Sequence, residues 1–146
     1  MKDRHLCKAR PVGTRKQWVT GFYAVLGEKT VIIVNEPEKF YDVDSEKNSH
    51  GNKIVEVIPK TVCQCTGCND KNGKLIFEND ILSGHIDDEF PEDETRKRVV
   101  WHENGWCTNE PGCDDYEELD DFDSENFEVI GNIFEGEFNG KNSKKD

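Results

Sequence analysis

Apolar positions along this chain come in short, mostly alternating runs separated by turn-forming residues, and this pattern predicts strands. Around Trp18 the run Thr14–Val25 mixes Val19, Phe22, Tyr23 and Val25 with polar neighbours. Leu26-Gly27-Glu28-Lys29 then supplies a turn before Thr30–Val34, so Lys8–Val34 reads as containing a β-hairpin that Pro37 terminates. Asp42–Lys53 is almost free of apolar residues and reads as an exposed loop or hairpin tip. Ile54–Ile58 is a short strand stopped by Pro59. Asn69-Asp70-Lys71-Asn72-Gly73 is a strong turn, because Asn, Asp and Gly tolerate positive φ. Leu75–Phe77 and Ile81–Leu82 flank a second tight stop at Glu78-Asn79-Asp80. Arg98–Trp101 and Gly105–Thr108 form a hairpin pattern about Asn104-Gly105, and Phe127–Phe134 is a final strand kinked or bulged at Gly131. Helical periodicity is weak, with a short best candidate at Tyr116–Phe122, and Gly136–Asp146 reads as a frayed tail.

These strands, closely spaced and with little helix between them, predict a mainly β fold: a small barrel-like or twisted-sandwich domain. The 146 residues suit one domain, 1–146, with a core over about 8–135. A chain of this length buries roughly two-thirds of the surface its unfolded form exposes, enough for a core without metal or disulfide. Eight Phe, three Tyr, three Trp and one Met make that core one of rigid rings and β-branched residues.

Charge changes the picture. Acidic residues outnumber basic ones 31 to 19, for a net charge of −12, and mean hydropathy is −0.84. The excess lies in His85–Glu94 and Glu110–Glu128, which read as flexible acidic loops near 85–95 and 110–126. Such a field repels phosphate backbones, so direct nucleic-acid binding is not expected. The acidic runs either solvate the surface, dock on a basic partner, or mimic DNA. No stretch approaches the roughly 20 apolar residues that span a bilayer, and the basic N-terminal segment lacks an apolar signal core. A cytoplasmic protein is expected, with its six cysteines reduced.

Cys63-x-Cys65-x-x-Cys68, with Cys107, Cys113 and His102 further on, is the constellation that most suggests chemistry. Thiolates two residues apart can share one tetrahedral zinc, but Cys107 and Cys113 are spaced more widely than the usual second pair. A redox dithiol would need a strand-to-helix setting that the pattern does not supply. Packing as small hydrophobic side chains is the reading adopted, with no cofactor and no metal. Asp80, His85 and His102 are the candidate acid and bases. No nucleophile elbow, phosphate loop or His-Glu-x-x-His motif accompanies them, so an enzyme is not expected. Asp80, Gly67 and Gly73 read more economically as turn residues.

The segment Cys65–Leu82, CTGCNDKNGKLIFENDIL, resembles the YopX family of phage and prophage proteins at Thr66, Gly67, Asp70, Lys71, Asn72, Gly73, Ile76, Glu78, Asp80 and Ile81. Three further pieces resemble the family in order: Trp18-Val19-x-Gly21-x-Tyr23, Val57-Ile58-Pro59-x-Thr61-Val62, and Val129-Ile130-Gly131-Asn132-Ile133-Phe134-Glu135. Cys65 and Cys68 stand where the family usually has an aromatic residue and Leu, Cys63 where a small residue is common, and Asn79 where Gly precedes Asp80. The resemblance implies a β-rich, barrel-like domain, by analogy with an SH3-like barrel core, and a phage accessory protein of unknown function inside a bacterial host. It brings no catalytic residues. The expected role is a non-catalytic module that binds a phage or host protein, with self-association through an edge strand also plausible. The alternatives are an acidic DNA mimic and a zinc-binding domain.

Overall fold

A computed structural model describes residues 2–13, 17–34, 46–47, 53–86, 89–90 and 92–135. The chain forms two compact units, Met1–Cys65 and Thr66–Asp146. It is mainly β and antiparallel, as its alternating pattern predicts.

In the first unit, β1 (Cys7–Ala9) pairs with β2 (Val19–Leu26), which pairs with β3 (Lys29–Val34). Beyond β3 lie β5 (Lys53–Glu56) and then β4 (Glu46–Lys47). The predicted hairpin is β2–β3, closed by Gly27 and Glu28 with Leu26 opposite Lys29. Gly21 sits where the two strands crowd: a Cβ there would come within 2.2 Å of the Ile33 carbonyl oxygen. Ala9, Val19, Ile32, Val34, Val55 and Val57 form the core, with Cys7 and Val62 packed on it. Thr61, in a 3-10 turn at Pro59–Thr61, accepts from the Arg10 N–H and donates to the Ile58 carbonyl, tying that turn to the chain after β1.

β6 (Cys63–Asn69) begins in the first unit, where Cys63 and Gln64 pair with Lys8 and Cys7, and runs into the second. Here the sequence reading needs correction. Gly67, read as a turn residue, lies with Cys65 and Cys68 on this strand, and Cys63 and Cys65 are buried while Gln64 is exposed. Small sulfhydryl side chains alternate as any half-buried strand does. The turn comes only at Asp70–Gly73, before β7 (Leu75–Phe77).

The second unit holds a five-stranded antiparallel sheet in the order β11-β10-β9-β8-β12. Its members are β8 (Asp80–Gly84), β9 (Thr95–His102), β10 (Gly105–Asn109), β11 (Glu117–Glu118) and β12 (Phe127–Asn132). The ladder ends at β11 and β12, so among the described residues this sheet is open and not a closed barrel. β9 starts earlier than predicted, because Thr95–Lys97 pair with Gly84–Leu82 despite their charge. The β9–β10 turn is Glu103-Asn104, with Glu103 at φ 59°, one residue before the predicted Asn104-Gly105. The register of β12 shifts between Val129 and Gly131, the expected bulge. The acidic run 110–126, read as loop, contains β11 and the helix α1 (Asp121–Asn126). Asp120 and Asp123 form a reciprocal capping box there, a start signal that places the helix after the predicted Tyr116–Phe122. Ile76, Leu82, Val99 and Phe127 make the core, with Cys68, Trp106, Leu119 and Val129 against it. Most of Asp42–Lys53, part of His85–Glu94 and all of Gly136–Asp146 lie outside the described residues. Among the described residues, no helix is long and apolar enough to cross a membrane.

Candidate functional site

The residues that make Cys65–Leu82 distinctive converge on β12, and they do so through backbone hydrogen bonds. Asp70, 5% exposed, accepts at Oδ1 from the Asn72 and Lys74 N–H groups (2.9 Å each) and at Oδ2 from the Val129 N–H (2.8 Å). Gly73, at φ 85°, closes the same turn by donating to the Asp70 carbonyl. The Lys71 N–H reaches the Phe127 carbonyl at 3.0 Å. Asp80 is fully buried. Its Oδ2 accepts from the Phe77 N–H (2.8 Å) and its Oδ1 from Asn132 Nδ2 (2.9 Å). Between them, Asn79 takes the left-handed conformation at φ 71°, which an Asn tolerates. Its N–H donates to the Val99 carbonyl, its carbonyl accepts from the Ile133 N–H, and its Oδ1 accepts from Arg98. Thr66 Oγ1 donates to the Ile76 carbonyl and accepts from the Cys68 N–H. Asp70 and Asp80 thus each have both oxygens engaged inside the fold, a stapling arrangement that joins two turns to the last strand.

The other sequence candidates are dispersed. Cys63 and Cys65 are fully buried in the first unit, with Cys63 Sγ donating to the Thr61 carbonyl at 3.3 Å. Cys68, in the second unit, is half-buried against Ile76 and its neighbours. Cys107 Sγ lies 3.8 Å from the Gly105 carbonyl, and burial, then Glu118 and Glu103, push its thiol above the usual range. Cys113 is exposed. Among the described residues, no three His, Cys, Asp or Glu side chains are grouped to hold a metal ion. His85 Nδ1 lies 3.1 Å from the Asp93 carbonyl, whereas the His102 ring stacks on Tyr116 at 3.9 Å and sits 3.6 Å from Glu103. Because Gly84 pairs with Thr95, His85 and His102 lie at opposite ends of β9, about 26 Å apart at ~3.3 Å per residue. The structure does not bring them together.

A different group of residues does come together, and the sequence reading passed over it. Lys97 on β9 is nearly buried and its Nζ lies 2.6 Å from Asp123 Oδ1 on α1, and 4.5 Å from the centre of the Phe127 ring. Thr108 on β10 pairs with Val99 on one side and Glu117 on the other, which puts Lys97, Val99, Thr108 and Glu117 on one face. Lys97, Thr108 and Glu117, together with Glu110, Cys113 and Asp115, line a cleft of about 90 Å³. Asn109 shapes its outer wall by donating from Nδ2 to the Cys113 and Asp115 carbonyls at 2.9 Å each. The signal available in the sequence was parity: Lys97 occupies a core-facing position two residues before Val99.

One step along the same face, Trp101 and Trp106 are cross-strand partners with rings edge to face at 5.1 Å. Trp106 packs on the core while Trp101 stays 55% exposed.

Fold and site together define a mainly β protein of two compact units whose most recognisable residues are structural staples. The model of the YopX protein family matches residues 25–137, and the chain belongs to that family. The match begins within β2, after the Trp18 motif. Comparison with curated proteins finds no match.

Proposed function

We propose that the protein is a phage or prophage accessory protein that works in the bacterial cytoplasm as a non-catalytic interaction module, docking on a basic protein partner. What carries the reading is the tip of the β9–β10 hairpin. Trp101 is 55% exposed on one face there, with Glu117 on the same face, while Tyr116, stacked on His102, and Glu118 lie on the other face and Glu103 lies in the turn between. Large exposed aromatics are the residues most enriched at the energetic centres of protein interfaces. A rim of carboxylates on a chain of net charge −12 favours basic partners and accelerates their encounter.

The test is quantitative binding to a purified partner taken from host cells carrying the phage. Trp101→Ala should weaken binding roughly tenfold or more, as loss of a central aromatic anchor does. Raising ionic strength should slow association. Affinity unchanged by Trp101→Ala, together with an association rate indifferent to salt, would overturn the reading. Displacement of the partner by duplex DNA would instead assign the DNA-mimic role.

A further inference from the structure

We infer that the outer half of β2, Phe22–Leu26, is a dimerisation edge that pairs antiparallel with the same segment of a second copy of this chain. The inference is independent of the interaction reading above, which rests on the second unit.

The first observation is an edge left open. β1 covers β2 only from Val19 to Gly21, and among the described residues no strand lies beside Phe22–Leu26 on that side. Leu26 and Lys29 close the two-residue loop to β3, so Leu26, Ala24 and Phe22 turn their N–H and C=O groups towards β3. Tyr23 and Val25 therefore turn theirs outward, on the side where β1 has ended. The second observation is what surrounds those groups. Phe22, Tyr23, Val25 and Leu26 are each between 44% and 55% exposed, Phe22 and Leu26 on one face and Tyr23 and Val25 on the other. Natural sheets blunt such edges with charge, proline or very short strands, because an uncovered apolar edge recruits another strand. The sheet of the second unit is protected in this way: Asp70 and Lys71 bond β12 at Val129 and Phe127, and β11 is two glutamates long. From Gln17 to Gly27 there is neither a charge nor a proline.

The third observation is self-complementarity. With Ala24 on a two-fold axis, Tyr23 faces Val25 of the partner subunit and Phe22 faces Leu26 of the partner subunit. Tyr23 and Val25 then exchange both bonds in each of two symmetric pairs, about four N–H···O bonds in all, and Ala24 meets its own copy at the closely spaced non-bonded position, where a small side chain fits. Each remaining cross-strand pair sets an aromatic ring against an aliphatic side chain, a favourable match. The same register carries Glu28 of the partner subunit past Gly21 to the start of β1, and exposed Arg4 lies three residues ahead of Cys7. Net charge does not oppose the pairing: Met1–Cys65 holds more basic than acidic residues, and the acidic excess of the chain belongs to Thr66–Asp146. Two half-exposed rings of ~150–250 Å² each, with Val25 and Leu26, supply a few hundred Å² per copy, below the ~800 Å² a side of a standard stable interface. The dimer is therefore of the weak, reversible class, with a micromolar dissociation constant.

The test is sedimentation velocity of the full chain from about 1 µM to about 1 mM, a range that brackets such a constant, with amide hydrogen exchange at both ends of it. A reversible monomer–dimer equilibrium is expected. Exchange at the Tyr23 and Val25 amides should slow roughly tenfold as the dimer fills, while the Ala24 amide, already bonded to β3, changes less. Val25→Lys and Tyr23→Glu should each weaken the dimer roughly tenfold or more, because each sets a charge against an apolar partner. Mixing the two variants should restore association, since the register places the introduced acid opposite the introduced base. A chain monomeric throughout the range, a dimer whose Tyr23 and Val25 amides exchange as fast as in the monomer, indifference to both variants, or folded variants that fail to associate on mixing would overturn the inference. Slowing produced only by the partner protein, in a chain that stays monomeric, would give the edge to a foreign strand and overturn the dimer. The exchange measurement uses the unaltered chain, so it decides the matter even where a variant fails to fold.

Discussion

Replacing Asp70 with alanine removes an acceptor that serves three backbone N–H groups, and the consequence can be worked from their surroundings. Two of the donors, Asn72 and Lys74, belong to exposed residues, so water takes over and each bond is worth about 0.5–1 kcal/mol. The third, Val129, is half-buried at the bulge of β12, where a bond to a carboxylate is worth about 1.5–3 kcal/mol. The sum is about 2.5–5 kcal/mol, a large fraction of the ~5–15 kcal/mol that holds a domain together. Asp70→Asn keeps one acceptor oxygen but turns an NH2 toward a donor, and about half that loss is expected. Urea unfolding followed by tryptophan fluorescence reads the change, and hydrogen exchange at the Val129 amide localises it to the staple. The exposed Asn72 side chain, which reaches Glu128 at 3.1 Å, supplies the control: Asn72→Ala should cost less than about 0.5 kcal/mol. If Asp70→Ala unfolds within 0.5 kcal/mol of the parent, or leaves Val129 equally protected, the staple argument is wrong.

The remaining predictions follow the same logic. Lys97→Met strands Asp123 as an unpaired buried charge and should cost about 3–5 kcal/mol in urea, whereas Lys97→Met with Asp123→Leu should recover most of it; equal stability of single and double variants would contradict this. Gly21→Ala forces a Cβ to 2.2 Å from the Ile33 oxygen and must part β2 from β3, so it should lower stability by about 2 kcal/mol or more; thermal melts of the variant check it. Glu94 has its carboxyl held below the ordinary range by the Ser83 hydroxyl, with the Arg96 guanidinium assisting. A depressed carboxylate stabilises the fold above its unfolded value of about 4.3 and loses that contribution as pH falls through the lower folded value. Glu94→Gln should therefore flatten the acid limb of the stability curve slightly below about pH 4.5; an unchanged acid limb would refute it.

How much of this was legible beforehand varies by residue. The β2–β3 hairpin, the Asp70–Gly73 turn, the Asn79 reversal and the Gly131 bulge follow from local chemistry: alternation, Gly and Asn at positive φ, and an Asp able to accept neighbouring N–H groups. Asp80 was read as a turn carboxylate, and its bond to the Phe77 N–H is of that kind. Two local readings went astray for identifiable reasons. Cysteine carries no strong strand propensity, so the alternation of Cys63, Gln64 and Cys65 was hidden behind a metal-like spacing. The helix at Asp121–Asn126 announces itself only by its Asp120–Asp123 capping box, because its six residues are too few for periodicity.

What the sequence by itself determined is the set of strands, turns and acidic surface segments, together with membership of a family whose motifs appear in order along the chain. Those are properties of neighbouring residues, and neighbouring residues are all that a sequence places in contact. Only the tertiary structure decided that Asp70 reaches Val129 and Asp80 reaches Asn132, 59 and 52 positions away. It also decided that Lys97 meets Asp123, and that Lys97 and Thr108 share one face of the sheet with Glu117. Strand register and the docking of α1 set those meetings, and register depends on the balance of whole faces against one another, which no single stretch of residues contains.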